Sequence, residues 1–271
     1  MLIVLVEAVG GVLAHSTALI ADAGHNLSDV LGLVLAGGAL WLAKRPARGR
    51  RTYGYGKATV LAALINGAVL LLVSGGLVVE ALQRLAHPQA VAPVLVMAVA
   101  AVGVVVNTLT ALMFVKGSGH DVNTRGAFLH MAGDAAVSVG VIVSAGLIAL
   151  THWSWIDPAA TLAVVAVIVI GTWSLLRESV DLALDAAPQS ADLGGIRDFL
   201  LEGSGVTEVH DLHVWAMSTT ETALTAHLVR PSAGEDEHFR EHLARDLERR
   251  FGLKHATLQI ERARGDHCPA C

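Results

Sequence analysis

His25-Asn26-Leu27-Ser28-Asp29, inside the apolar run of residues 18–43, and His130-Met131-Ala132-Gly133-Asp134, inside the run of residues 124–150, share one spacing. Residues four apart lie one above the other on a helix face, so each run presents an imidazole beside a carboxylate. Ionisable groups at membrane depth cost roughly 2.5–3.5 kcal/mol each on insertion scales. Four of them in apolar surroundings therefore imply a function that needs them there. Two imidazole nitrogens and two carboxylate oxygens, from two helices that meet, make a tetrahedral site for a divalent ion of the zinc type. A site of that kind inside a bilayer implies movement of metal across it. The bland reading makes the same side chains hydrogen-bonding partners between helices, and the recurrence of one spacing at equivalent depth speaks against it.

Outward from these motifs, the chain is hydrophobic over most of its length. Its mean hydropathy is +0.57, with 54% hydrophobic and 16% charged residues, against about 25% charged in soluble proteins. Residues 177–271 nevertheless carry most of the acids and bases, which marks a membrane domain followed by a soluble one. The formal net charge of -5 comes without a basic stripe interleaved with aromatics, so nucleic acid is not a partner by this reading. Both cysteines, Cys268 and Cys271, lie at the end of the chain and say little about compartment.

Measured against the roughly 20 residues a helix needs to cross the hydrocarbon core, six apolar runs are candidate spans: residues 1–14, 18–43, 59–82, 92–115, 124–150 and 158–176. The first is short, contains Glu7 and lacks a basic flank, which excludes a signal peptide and leads us to expect further residues before Met1. The connection after the second run holds Lys44, Arg45, Arg48, Arg50, Arg51 and Lys57, Lys116 and Arg125 follow the fourth, and Arg177 follows the sixth. The opposite loops, 15–17, 84–93 and 151–157, are nearly bare of basic residues. Basic loops stay in the cytoplasm, so both termini are expected there, with Trp153 and Trp155 at the outer interface.

The tail reads as a small α/β domain. Residues 191–202 have helical apolar spacing ended by Gly203-Ser204-Gly205, residues 206–217 and 221–229 alternate as strands around a turn at 218–220, residues 239–251 are amphipathic, and 255–260 form a last strand. This order, αββαβ, resembles the ferredoxin-like metallochaperone layout, a size suited to dimerisation or sensing.

Several stretches together resemble the cation diffusion facilitator family: residues 18–33 around His25 and Asp29, Thr52-Tyr53-Gly54-Tyr55 before 61–67, the His130/Asp134 pair, and Val209-His210-Asp211-Leu212-His213-Val214-Trp215. The likeness covers nearly the whole chain and is closest to the bacterial cobalt-zinc-cadmium resistance type and the zinc exporters. It implies a six-transmembrane-helix homodimer with a cytoplasmic C-terminal domain, exporting divalent metal in exchange for protons, with His25, Asp29, His130 and Asp134 as transport ligands. The direction of transport rests on the resemblance alone. Family members selective for manganese tend to carry Asp in place of these imidazoles, and imidazole suits zinc-like ions, so Zn2+ is the expected substrate, with Co2+ and Cd2+ as passengers. Imidazole must be neutral to bind metal, which couples metal entry to proton release. Short loops of bacterial style favour an inner (plasma) membrane.

The resemblance also implies a cytoplasmic zinc site from His210, His227, Glu261 and the Cys268/Cys271 pair, of structural or regulatory use. One family histidine falls on Lys254, with His255 one residue late and on the other strand face, so His255 stands as a further candidate. The second metal site of some bacterial members has no counterpart in Arg51–Lys57, and the His-rich loop of eukaryotic exporters is reduced here to residues 117–121. The domains expected are residues 1–180 in the membrane, 181–263 as the cytoplasmic dimerisation domain and 264–271 as a metal-binding tail.

Other readings were weighed. Cys-x-x-Cys as a redox pair needs a helix N-terminus on a thioredoxin-like fold, and this pair ends the chain. His213 alternates away from His210 and reads as a packed strand residue; His87, His152, His238 and His242 read as surface or interfacial. Asp22 is expected at a helix end or behind His25, and Asn66 and Asn107 in hydrogen bonds between helices. An intramembrane metalloprotease needs His-Glu-x-x-His or its like, which is absent, so the chain reads as a transporter and not an enzyme. A membrane-tethered sensor leaves the four intramembrane residues unexplained. A channel differs from the antiporter in lacking an opposed proton flux.

Overall fold

The computed structural model describes residues 1–115, 122–232, 234 and 236–264. A short helix α1 (Leu2–Ala14) precedes five long ones, α2 (Thr17–Ala43), α3 (Ala58–Ala86), α4 (Pro93–Val115), α5 (Val122–Thr151) and α6 (Ile156–Ala183). Among the described residues, five helices have the length and apolar composition to cross a membrane, and the 13-residue α1 does not. Their sequences lack interior proline at most positions and are rich in Leu, Ala and Val, so the backbone groups are satisfied within each helix, as hydrocarbon demands.

Two compact units are present: Met1–Leu33 with Asn66–Ser174, and Val34–Ile65 with Leu175 onward. In the first, α1 ends at His15, whose left-handed φ of 53° turns its N–H back to the carbonyls of Gly11 and Val12. The next residues start α2: Ser16 Oγ accepts from Leu19 N at 3.2 Å, and the Asp157 carboxylate of α6 accepts from Ser16 Oγ, Thr17 N and Thr17 Oγ1. That buried acid fixes the hairpin between α1 and α2. Close approach of α1 to α4 depends on Gly10, where a Cβ would stand 2.8 Å from Val99 Cγ2, the small-residue packing expected between membrane helices. Ala14, Leu19, Val96, Ala100 and Val141 form the apolar cluster beside this contact. Asn107 is buried, and its amide nitrogen has no acceptor among the described residues.

In the second unit the tail supplies α7 (Leu193–Leu201), β1 (Glu208–Ala216), β2 (Thr222–Val229), α8 (Asp236–Phe251) and β3 (His255–Glu261). The sheet is mixed, in the order β1-β2-β3, with β1 antiparallel and β3 parallel to β2. Ser218 Oγ accepts from Thr220 N and Glu221 N and shapes the β1–β2 turn. Ile196, Leu200, Val209, Leu224, Leu228, Leu247 and Leu253 fill the core between sheet and helices. The loop before α3 docks on this unit: Lys57 Nζ donates to Asp185 at 2.6 Å and to the Leu182 carbonyl at 2.7 Å, while Tyr53 packs edge-on against Trp215 and His255.

Candidate functional site

The helical spacing does what the sequence asks of it. His25 and Asp29 stack on α2, His130 and Asp134 on α5, and the two pairs interlock. His25 Nε2 lies 3.2 Å from Asp134 Oδ1 and 3.7 Å from Asp29 Oδ2. His130 Nε2 lies 3.3 Å from Asp29 Oδ2 and 3.8 Å from Asp134 Oδ2. Each carboxylate thus faces both imidazoles, whose rings sit edge to face with centroids 6.0 Å apart. His25, Asp29 and Asp134 each offer a ligand atom within 4.8 Å of the others. His130 is the open member, its side chain 47% exposed against 5% for Asp134. Asp29 Oδ2 and Asp134 Oδ2 are buried without a well-formed hydrogen bond among the described residues, the imidazole nitrogens being their neighbours at 3.3 Å and beyond. Buried acceptors left in that condition are costly.

Behind this cluster lies a second polar layer. Glu7 of α1 and Asp22 of α2 are fully buried. Asn26 Nδ2 donates to Glu7 Oε2 at 2.8 Å, and Ser138 Oγ donates to Asp22 Oδ2 at 2.9 Å. Asp22 was expected behind His25 from its spacing, whereas Glu7 had no role in the sequence reading beyond interrupting a short span. Ser138, unread in the sequence, lies four residues beyond Asp134 on α5, a spacing that could have found it.

The tail gathers a different set. His210 of β1 and His227 of β2 are register partners across the antiparallel pair, with ring centroids 5.1 Å apart. Glu261 of β3 reaches both, at 3.1 Å from His210 Nε2 and 2.9 Å from His227 Nδ1, and the three form one potential ligand group. His255 is not brought there: it pairs with Ala223 at the start of β3, six residues before Glu261 opposite Val229, about 20 Å away at the rise of a strand. Cys268 and Cys271 lie outside the described residues. Asp211 enters unannounced. A bulge between His210 and His213 breaks the strand alternation, Asp211 takes a φ of 51°, and its carboxylate lies 2.8 Å from His213 and 3.5 Å from His227. The hydrogen bond with His213 holds the Asp211 carboxyl below the usual carboxylate range. His213 itself is exposed, not packed.

Comparison with known proteins gives two family matches and several relatives. Residues 1–182 match the family described as the cation efflux transmembrane domain, and residues 188–263 match the cation efflux protein, cytoplasmic domain. The chain is 34% identical over 268 residues to a cadmium, cobalt and zinc/H(+)-K(+) antiporter of Bacillus subtilis, covering 97% of this chain and 86% of that one. It is 36% identical over 258 residues to the metal cation efflux system protein CzcD of Cupriavidus metallidurans, covering 95% and 82%, and 35% identical over 259 residues to the zinc transporter ZitB of Escherichia coli, covering 95% and 82%.

Proposed function

The chain belongs to the cation efflux family, and on that premise we propose that it exports Zn2+, with Co2+ and Cd2+ as alternative substrates, from the cytoplasm in exchange for protons. The substrate ion is held by His25, Asp29, His130 and Asp134, and the site opens to the two sides of the membrane in turn. One observation carries this reading: across α2 and α5, each of two carboxylates faces both of two imidazoles within a bundle of apolar helices. Nitrogen and oxygen donors in that number suit a tetrahedral zinc-type ion. Imidazoles that must lose protons to bind it supply a reason for counter-transport, and the Bacillus relative is itself named an antiporter.

In this reading α1 completes six spans, with residues 1–180 in an inner (plasma) membrane and both termini in the cytoplasm. Residues 181–263 form a ferredoxin-like domain through which two copies pair, and residues 264–271 are a metal-binding tail. His210, His227 and Glu261 fit a zinc-type ion by donor type and proximity, and buried His210 Nδ1 has no partner among the described residues. Cys268 and Cys271 add thiolates to that set. The chemistry such an ion supplies there is structural or regulatory.

The test is zinc uptake into inverted vesicles bearing a pH gradient, with Asp134→Ala beside the unaltered protein. Gradient-driven uptake that vanishes in the variant is the expected result. Uptake untouched by the substitution overturns the site, and uptake indifferent to the gradient overturns proton exchange.

A further inference from the structure

Glu7 is an anomaly by elementary physics. It sits in an apolar helix, its side chain is wholly buried, and no basic residue pairs with it among the described residues. An isolated ionised carboxylate withdrawn from water is so unfavourable that such a group exchanges a proton with its surroundings instead of staying charged. One oxygen, Oε2, is satisfied by the Asn26 amide at 2.8 Å. The other, Oε1, is buried with no hydrogen-bond partner.

The surroundings of Oε1 are shaped for it. A Cβ on Gly103 of α4 would stand 2.8 Å from Oε1 and 3.1 Å from Ser138 Oγ, so the absence of a side chain there leaves room for both groups. Ser138 in turn donates to Asp22. Its hydroxyl therefore stands between two buried carboxylates, one on α1 and one on α2. The charged groups acting on Glu7 from the neighbouring helices are Asp22 of α2 and Asp134 of α5; α4 carries no ionisable side chain, and Glu7 is the sole one in α1.

We propose that Glu7 carries one of the exchanged protons, gaining and losing it as metal leaves and enters the adjoining His/Asp cluster. This rests on the proton-exchange reading above. A divalent ion arriving beside Asp134 adds positive charge to a region of carboxylates and favours the ionised form of Glu7 by Coulomb attraction, which is weakly screened in a dry interior. The carboxyl O–H bond then breaks and the proton leaves towards the cytoplasmic side, from which the metal entered. When the metal departs to the other side, a proton taken from that side re-forms the bond. Asn26, whose amide donates to Oε2, holds the group in place.

The competing reading makes Glu7 a clamp between α1 and α2 through Asn26, and two substitutions separate them. Glu7→Gln keeps an oxygen for Asn26 and loses the titratable group; Glu7→Asp keeps the titratable group and shortens the reach to Asn26. The measurement is steady-state zinc accumulation by the full-length protein in liposomes at a series of imposed pH differences, with membrane potential clamped at zero. Zinc/zinc exchange without a pH gradient is measured alongside. Each coupled proton multiplies the attainable zinc ratio about tenfold per pH unit. Glu7→Gln is expected to exchange zinc at the wild-type rate but to accumulate about tenfold less at a one-unit gradient, and Glu7→Asp to keep the wild-type dependence on gradient. A wild-type dependence in Glu7→Gln overturns the proposal. If Glu7→Gln loses exchange as well, Glu7→Asp decides: wild-type dependence sustains the proposal and inactivity assigns Glu7 to the clamp. Wild-type protein that accumulates no zinc in response to a gradient overturns the antiport reading itself, whatever the Glu7 variants do.

Discussion

In the membrane helices, two imidazoles face two carboxylates across the gap between α2 and α5; in the tail, two imidazoles share one carboxylate across three adjacent strands. The donor chemistry is nearly the same and the scaffold is not. His210 and His227 are opposite each other in an antiparallel ladder, and Glu261 is registered to the same strand β2, so backbone hydrogen bonds fix their separation. Side-chain contacts, among them the Ser138–Asp22 hydrogen bond, set the distance between the α2 and α5 pairs, since among the described residues no backbone hydrogen bond joins α2 to α5. A cluster on a sheet suits an ion that stays; a cluster split between two helices suits one that must be released when the helices shift.

The sharpest way to break this comparison is to remove one imidazole from each cluster. His25→Ala is expected to abolish zinc flux, exceeding the roughly 10–100-fold that loss of a mere outer partner costs at metal sites. His227→Ala is expected to leave maximal flux intact while weakening zinc binding by the tail, read by equilibrium dialysis of the full-length protein as loss of the sites that survive His25→Ala. Equal loss of flux from both variants would make the two clusters one functional unit and dissolve the distinction.

A smaller effect probes how far the helical cluster depends on the layer behind it. Gly103→Ala puts a methyl group against Glu7 Oε1 and Ser138 Oγ. Overpacking of this kind costs about 1–3 kcal/mol. The expected result is a lowered Tm of the detergent-solubilised protein together with slower zinc flux, and unchanged zinc binding at the tail. An unchanged Tm would mean that Glu7 moves aside freely, and would remove the argument that its position is built.

How much of each cluster was legible follows from how local its geometry is. A spacing of four within one helix is a property of the chain itself, so His25/Asp29 and His130/Asp134 were readable before any packing was known. Glu7 was not, because its role arises only where α1, α2, α4 and α5 converge around Gly103 and Asn26. His210 and His227 came from the family resemblance, whereas the packed position expected of His213 relied on strand alternation, which fails at the bulge after His210; His213 is exposed and Asp211, unread in the sequence, lies beside it. His255 was a candidate because a family histidine falls one residue before it, on Lys254, but the strand carries it to the end opposite Glu261.

The smallest effect tests whether the tail cluster sits on a frame that is itself insensitive to pH. Asp236 opens α8, where a negative charge favours the helix N-terminus, and it receives Arg230 at the end of β2 at 2.7 Å and Arg262 just after β3. Desolvation pushes its carboxyl up, and the charge-assisted hydrogen bonds from Arg262 and Arg230 outweigh that and hold it below the ordinary carboxylate range. A depressed folded-state pKa contributes stability that is fully present above the unfolded value, about 3.9, and is lost as pH falls through the folded one. Asp236→Asn should therefore lower Tm slightly and by the same amount at every pH between 5 and 8 (on the order of the physiological span), with the gap to the wild type closing only below about pH 4. A gap that closes between pH 6 and 8 would instead trace to the histidines of the neighbouring strands, and the frame would share the proton sensitivity of the cluster it carries.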